Sequence, residues 1–146
     1  KGKDYKLGVT TPHIVFNFLD YLLWKNNKSK YSDFEFEFRN SVEHWYPQNP
    51  SDGSFDPWED KDTFGNLCII SRSVNSKFSN LSPESKMKSY GKMVAKGSLK
   101  LRLMGEIIQQ NSNDDWINNY CEKHEEEMIS ILEDACKKCE NDDLLL

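Results

Sequence analysis

The sequence predicts an α+β fold in which a strand–loop–strand–helix unit, written ββα below, is embedded among helices. Apolar residues recur at helical spacing before residue 26 and again over 82–139. Between them, Phe34, Phe36 and Phe38 alternate with Glu residues, as in a half-buried strand. A length of 146 residues is typical of one domain. We therefore expect a single domain over 1–146, with the ββα unit at about 36–80 and helices over 11–26 and 82–139.

The first half of the chain is expected to contain one helix and one strand. Thr10 or Thr11 can cap a helix that has Pro12 just inside its start and ends near 25–28. The Phe-rich strand at 34–38 is expected to continue towards His44 and to end near Pro47. Two neighbouring apolar stripes define the buried face of the helix: Ile14, Phe18 and Leu22, and Val15, Leu19 and Leu23.

The second half is expected to contain a short strand followed by four helices. An irregular loop over 47–62, dense in Pro, Asp, Gly and Ser, precedes the Gly65–Asn66 turn. Ser82 followed by Pro83 is a strong helix start, and Gly97 is a good stop. The expected elements are a strand at 67–70 and helices from 71 or 73 to 78, 82 to 96, 99 to 109, and about 113 to 139.

Charge and cysteine content narrow the class of protein. The formal net charge is −5, which is unusual for a general nucleic-acid binder, but residues 72–102 carry eight Lys and Arg against one acid, Glu84. Such a segment suits a polyanion, and a solvated helix face is the alternative. The four Cys do not form a disulfide framework, so a reducing cytoplasm is expected. There is no secretory signal or membrane span, and the charged ends suggest a domain of a longer protein.

One group of residues suggests chemistry. Glu43 and His44 lie where the first strand is expected to end, and Asn75 lies on the helix after the second strand. A ββα unit can bring these three side chains together. Phosphodiester hydrolysis needs a base that deprotonates water and a cation that stabilises the added charge. A neutral His can act as the base, and carboxylate and amide oxygens suit Mg²⁺.

Three segments carry a resemblance to a known family, SVEHWYPQNP, FGNLCII and NSKFSN. They resemble the C-terminal nuclease domain of GmrSD-type modification-dependent restriction endonucleases, an HNH-like branch of the His-Me finger superfamily with a ββα-metal core. They are also similar to the HNH segment of RNA-guided CRISPR endonucleases. The resemblance extends more loosely to most of the chain. It implies a metal-dependent endonuclease that restricts foreign DNA in antiviral defence, with an upstream ParB-like nucleotide-binding domain.

The resemblance also implies a role for each matching residue. His44 occupies the general-base position, and Glu43 occupies a metal-ligand position that is Asp or His in many HNH enzymes. Asn66 occupies the central Asn position, which orients the loop behind the catalytic His. Asn75 occupies the position of a metal ligand on the helix. The implied cofactor is Mg²⁺ or Mn²⁺.

Further expectations concern the partner and its contacts. Arg72, Lys77 and Lys86 are the expected contacts to the DNA backbone, because they lie in the basic segment. RNA is an alternative substrate, and both a monomer and a homodimer are compatible with the sequence. Trp45 and Tyr46 are expected in the core, with stacking on a base as the alternative.

Structural explanations compete with these roles. A buried His44, a turn at Asn66 and a helix-capping Asn75 would need no chemistry. The alternative function is therefore a catalytically inactive nucleic-acid-binding or protein-interaction domain on the same scaffold.

A zinc site is not expected, although Cys121, His124, Cys136 and Cys139 have zinc-finger-like spacing. The residues between the two pairs predict an unbroken helix, which at about 1.5 Å per residue holds the pairs about 20 Å apart.

Overall fold

The computed structural model describes residues 7–49 and 56–143, a mostly helical α+β fold with a two-stranded sheet, which confirms the expected class. The expected unit over 36–80 includes 50–55, which lie outside the described residues. The elements in order are α1 (His13–Asn26), β1 (Ser41–His44), a 3₁₀ turn (Phe64–Asn66), β2 (Leu67–Ile70), α2 (Arg72–Phe78), α3 (Pro83–Val94), α4 (Leu99–Ile108), α5 (Asn113–Asp115), a π-helical turn (Trp116–Tyr120) and α6 (Cys121–Asp143).

The two strands form an antiparallel pair whose ends define the geometry of the site. Ser41 pairs with Ile70 at one end, and His44 pairs with Leu67 at the other. All four residues of β2 are buried, so helices cover both faces of this small sheet. Because side chains alternate along a strand, Glu43 and His44 point to opposite faces.

The strand expected over 34–38 does not form. Residues 34–40 are irregular, and β1 begins only at Ser41. β2 ends at Ile70, opposite Ser41, and Ser71 then caps α2, so the described chain provides no partner strand beside 34–40. Phe36 and Phe38 are 59% and 87% exposed.

Two hydrophobic clusters lie on the two faces of the sheet. The first cluster contains Trp45 and Tyr46, which confirms their expected place in the core. It extends from Cys68 and Ile70 of β2 to α3, α4 and the π-helical turn. The second cluster joins Leu67 and Ile69 to α1, α4 and α6. The sheet is thus the shared wall between two helical layers.

Helix α1 forms as expected, but its buried face is rotated. Ile14 and Phe18 are 74% and 37% exposed, so the stripe predicted to contain them is partly in solvent. Thr11 does not cap the helix, because its Oγ1 accepts a hydrogen bond from the Gly8 N–H at 2.8 Å. The residues buried on α1 are Phe16, Leu19, Asp20, Leu22 and Leu23.

The buried Asp20 explains this rotation, because it caps the start of α4. Its Oδ1 accepts hydrogen bonds from the N–H groups of Leu99 and Lys100 at 2.9 and 3.4 Å. These are two of the donors that a helix start leaves unpaired. Burial raises the pKa of Asp20 to about 6. The residue in the N-cap position, Ser98, makes no cap hydrogen bond with its side chain.

Helix α3 begins where the sequence predicts. Ser82 is its N-cap, and its Oγ accepts a hydrogen bond from the Ser85 N–H at 3.2 Å, with Pro83 at the first helical position. Gly97 then lies in the turn between α3 and α4.

The C-terminal helical segment is continuous from Asn113, as expected. A capping box between Ser112 and Asp115 starts it, and the π-helical turn leads directly into α6. Cys121 is buried and Cys136 is exposed on this one helix. One continuous helix therefore separates the Cys121/His124 pair from the Cys136/Cys139 pair, as predicted.

Candidate functional site at the end of the sheet

His44 lies at the end of β1 and forms a close pair with Asp62. Its Nε2 is 2.7 Å from Asp62 Oδ1, and the side chains are 11% and 47% exposed. A neutral ring that donates its Nε2 proton to the carboxylate carries its lone pair on Nδ1. Asp62 can therefore hold His44 in one tautomer, and His44 can then accept a proton at Nδ1.

Sequence reasoning missed Asp62. It follows Asp56 and Asp60 in the segment before Asn66, and no spacing rule distinguishes it from them. The usable signal is its position four residues before Asn66, in the segment that must return to the end of β1.

Asn66 is fully buried and holds this return segment in place. Its Oδ1 accepts hydrogen bonds from the Tyr46 N–H at 2.8 Å and the Trp116 indole at 3.0 Å. Its Nδ2 donates to the carbonyl oxygens of Tyr46 at 3.0 Å and Lys61 at 2.8 Å. The side chain thus ties the residues after His44 to the residue before Asp62. These contacts are compatible with the orienting role that the resemblance implies for Asn66, which stays a prediction.

The 3₁₀ turn that carries Asn66 is itself clamped. Gly65 N–H donates to Glu125 Oε1 at 3.2 Å, and Lys100 Nζ donates to the Gly65 carbonyl at 3.1 Å. A Cβ on Gly65 would come within 2.6 Å of the Cys121 carbonyl oxygen. Only glycine fits so close to α6.

Glu43 lies on the opposite face of the sheet from His44. Its Oε1 is 2.8 Å from Lys86 Nζ, and both side chains are buried. Lys86 Nζ also donates to the carbonyl oxygens of His44 and Trp45, each at 2.8 Å. Burial raises the pKa of Glu43 and lowers that of Lys86, while the ion pair opposes both shifts.

The position of Lys86 changes the expected set of DNA contacts. Its side chain is 0% exposed, so it cannot reach a phosphate, and its ammonium instead fixes the backbone at the end of β1. Lys100, also in the basic segment, is buried as well. Arg72 and Lys77 lie on α2 and are exposed, where a polyanion can reach them.

The two metal ligands implied by the resemblance lie in different surroundings. Asn75 is exposed on α2, whereas Glu43 is buried and paired with Lys86. A buried, paired carboxylate does not fit a ligand of a hydrated Mg²⁺. No three His, Cys, Asp or Glu side chains are grouped to hold a metal ion within residues 7–49 and 56–140. The accessible carboxylate beside His44 belongs to Asp62.

The fold and site define a small α+β domain with a His–Asp pair at the end of a two-stranded sheet. The family model for the C-terminal domain of GmrSD restriction endonucleases matches residues 3–131, and the chain belongs to this family. Membership implies nuclease activity, and such an endonuclease would act on DNA. Comparisons with curated proteins and with solved structures found no match. None of the helices in the described chain has the length and apolar character needed to cross a membrane.

Proposed function

We propose that this domain hydrolyses phosphodiester bonds in DNA, with His44 as the general base, in the restriction of foreign DNA. The observation that supports this proposal is the 2.7 Å contact between His44 Nε2 and Asp62 Oδ1 at an accessible edge of the fold. A carboxylate that orients a His is the arrangement that general-base catalysis uses.

In the proposed chemistry, Asp62 accepts the Nε2–H hydrogen bond and so keeps the lone pair on Nδ1. Nδ1 takes a proton from water while the water oxygen forms a bond to phosphorus. The P–O bond to the leaving oxygen breaks, and that oxygen leaves with the bonding electron pair. Asn66 keeps the loop that carries Asp62 in register with His44.

The proposal includes a requirement for Mg²⁺ or Mn²⁺, supported by the sequence resemblance to metal-dependent nucleases. The burial of Glu43 gives this part no support, so no chemical step is assigned to the ion. The alternative function, DNA binding without turnover, is supported by the same observation, because Glu43 is buried and paired with Lys86.

Arg72 and Lys77 are the proposed contacts to the DNA backbone, because both are exposed on α2. Each phosphate contact of this kind releases condensed counterions, so binding should weaken steeply as salt rises. DNA binding that does not respond to salt would remove these two residues from the proposal.

The test of the function is plasmid cleavage by the purified protein with Mg²⁺ or Mn²⁺, beside an EDTA control. His44→Ala should abolish cleavage and leave the thermal unfolding transition in place. His13→Ala is the matched control, because His13 is exposed on α1. Cleavage by His44→Ala at the parent rate would refute the mechanism. DNA binding without cleavage by the parent would favour the inactive alternative.

A further inference from the structure

A second concave site lies at the other end of the sheet from His44. It is a cleft of about 570 Å³ between the irregular segment before β1, the start of α2 and the α3–α4 junction. Ile70, Val74 and Leu101 supply apolar lining. The volume is in the range of small-ligand pockets. Eight of the fourteen lining residues are polar or charged, so the lining is mixed rather than mainly apolar.

Arg39 lines the cleft with a guanidinium that makes only long-range ion pairs. Its side chain is 5% exposed and stacks over the Phe34 ring at 5.5 Å. Glu37 Oε2 is 3.8 Å from its Nη2, beyond hydrogen-bond distance, and the buried Asp20 also feels its charge. No hydrogen bond from this guanidinium to the described part of the chain is present. A buried guanidinium has five donors, which favours an acceptor such as phosphate.

Ser98 also lines this cleft and has a buried hydroxyl without a partner among the described residues. The residue is 1% exposed, and its Oγ has no hydrogen-bond partner in the described chain. Asp20 takes the two helix N–H groups that an N-cap hydroxyl would otherwise serve, which leaves the Ser98 hydroxyl free. Buried polar atoms without a partner are rare, and each calls for an explanation such as a ligand.

The charges around the cleft favour an anion. Lys92 and Lys96 lie at its rim and are exposed. Of the two lining acids, Asp33 is already paired with Arg102 Nη1 at 3.3 Å. The other, Glu37, is 60% exposed and holds Arg39 only at 3.8 Å.

We propose that this cleft binds one nucleotide, with its phosphate on Arg39 and Ser98 and its sugar or base against the apolar lining. Ile70, in the lining, pairs with Ser41, three residues before His44 in β1. At about 3.3 Å per residue, this places the cleft about 10 Å from His44 along the strand. One DNA strand is long enough to contact both sites at this separation, although not through adjacent phosphates. The identity of the ligand as DNA rests on the proposed function.

The test measures binding in a His44→Ala background, so that cleavage plays no part in the result. The probes are a short single-stranded DNA oligonucleotide and a deoxynucleoside monophosphate, titrated by calorimetry and by amide chemical-shift perturbation. Shifts should concentrate at the Gly97 and Ser98 amides. Binding of the oligonucleotide alone would define a strand subsite, and equal binding of the mononucleotide would define a site for free nucleotides. Binding of neither probe would overturn the proposal.

Substitutions of the residues that line the cleft test whether the ligand binds there. Arg39→Gln should weaken binding about tenfold, because it removes a charge-assisted phosphate contact. Ser98→Ala should weaken it a few-fold while leaving stability unchanged or higher, because the lost hydroxyl has no partner in the fold. Lys138→Gln, an exposed cation on α6 outside the cleft, is the control. Parent affinity in the Ser98→Ala and Arg39→Gln variants would refute the site even if the function stands.

Discussion

The pairing of His44 with Asp62 determines which ring nitrogen is available for proton transfer. Because the carboxylate accepts only from a protonated nitrogen, it selects the tautomer with the proton on Nε2. The proposal for catalysis therefore depends on a residue that has no motif of its own in the sequence.

Asp62→Asn tests this dependence. The amide can donate its N–H to Nε2, which would shift the ring proton to Nδ1 and block the proposed base. We expect the cleavage rate at saturating DNA to fall on the order of 10²-fold, with little change in DNA binding. Single-turnover cleavage and a separate binding titration measure the two effects.

Asp60→Asn is the matched control for that variant, because Asp60 is an exposed carboxylate two residues away in the same loop. Equal activity of the two variants would show that the contact between Asp62 and His44 has no catalytic role.

Asn66→Ala should reduce both stability and activity. The substitution removes all four hydrogen bonds of the Asn66 side chain: those from the Tyr46 N–H and the Trp116 indole, and those to the carbonyl oxygens of Tyr46 and Lys61. At about 1–3 kcal/mol for each buried group left unpaired, we expect a loss of at least about 3 kcal/mol in the free energy of unfolding.

Urea unfolding measures that loss, with Asn118→Ala, an exposed Asn in the π-helical turn, as control. An Asn66→Ala protein as stable as the parent would mean that these hydrogen bonds do not hold the loop.

At the scale of elements, a buried ion pair joins the end of β1 to α3. Lys86 reaches from α3 to Glu43 and to two backbone carbonyls of β1 and its exit. The three contacts make its ammonium an internal bridge between strand and helix. Burial of both charges is tolerated because each has its partner.

Lys86→Met should cost about 3–5 kcal/mol of unfolding free energy, because it leaves the Glu43 carboxylate buried without a cation. Glu43→Gln should cost less, because its amide oxygen can still accept from Lys86. The double variant Lys86→Met with Glu43→Leu should be more stable than Lys86→Met alone. Glu43→Leu alone supplies the remaining corner of the cycle. Urea unfolding of Lys86→Met, Glu43→Leu and the double variant then measures the coupling, and additive losses would show that the two residues do not interact.

The elements themselves were largely predictable from local pattern. Ser82 and Pro83 define the start of α3 through contacts within one turn, and the sequence contains that information. The prediction of a strand at 34–38 was wrong because a strand needs a partner strand. β2 ends before it could pair with these residues, and the pattern at 34–38 carries no information about where β2 ends. The buried face of α1 was partly wrong because Asp20, a polar residue, belongs to it.

The candidate site was predictable only in part, for a related reason. His44 at the end of β1 and Asn66 before β2 lie where the sequence motifs predicted them, and their proposed roles rest on the resemblance. The pairing of Glu43 with Lys86 joins residues 43 apart on different elements, and no periodicity reports such a contact. The same holds for Asp62 and His44.

At the scale of the whole molecule, the buried Asp20 links stability to pH. Its pKa is raised from 3.8 to about 6, so between these values the folded protein binds a proton that the unfolded chain does not. The free energy of unfolding contributed by Asp20 therefore falls as pH rises from about 4 to about 6, and is constant above that. At about 1.4 kcal/mol per pH unit, the total effect is up to about 3 kcal/mol.

Asp20→Asn should flatten this slope and raise stability at neutral pH, because the amide oxygen can still accept from Leu99 and Lys100. Urea unfolding between pH 4 and 8 measures the slope. Glu126→Gln, which removes an exposed acid on α6, is the matched control for the general loss of a negative charge. A variant with the same slope as the parent would show that Asp20 is not the titrating group.

The cap that Asp20 gives to α4 also has a kinetic consequence. It joins residues 79 apart in sequence, while α4 has no side-chain cap from Ser98 in its own N-cap position. The first turn of α4 therefore gains its side-chain cap only when α1 has docked. Because contacts between distant residues form late and close a long loop, we expect the two helices to form in one cooperative step rather than independently. A chain that loses α1 would keep the residues of α4 but not the means to start that helix.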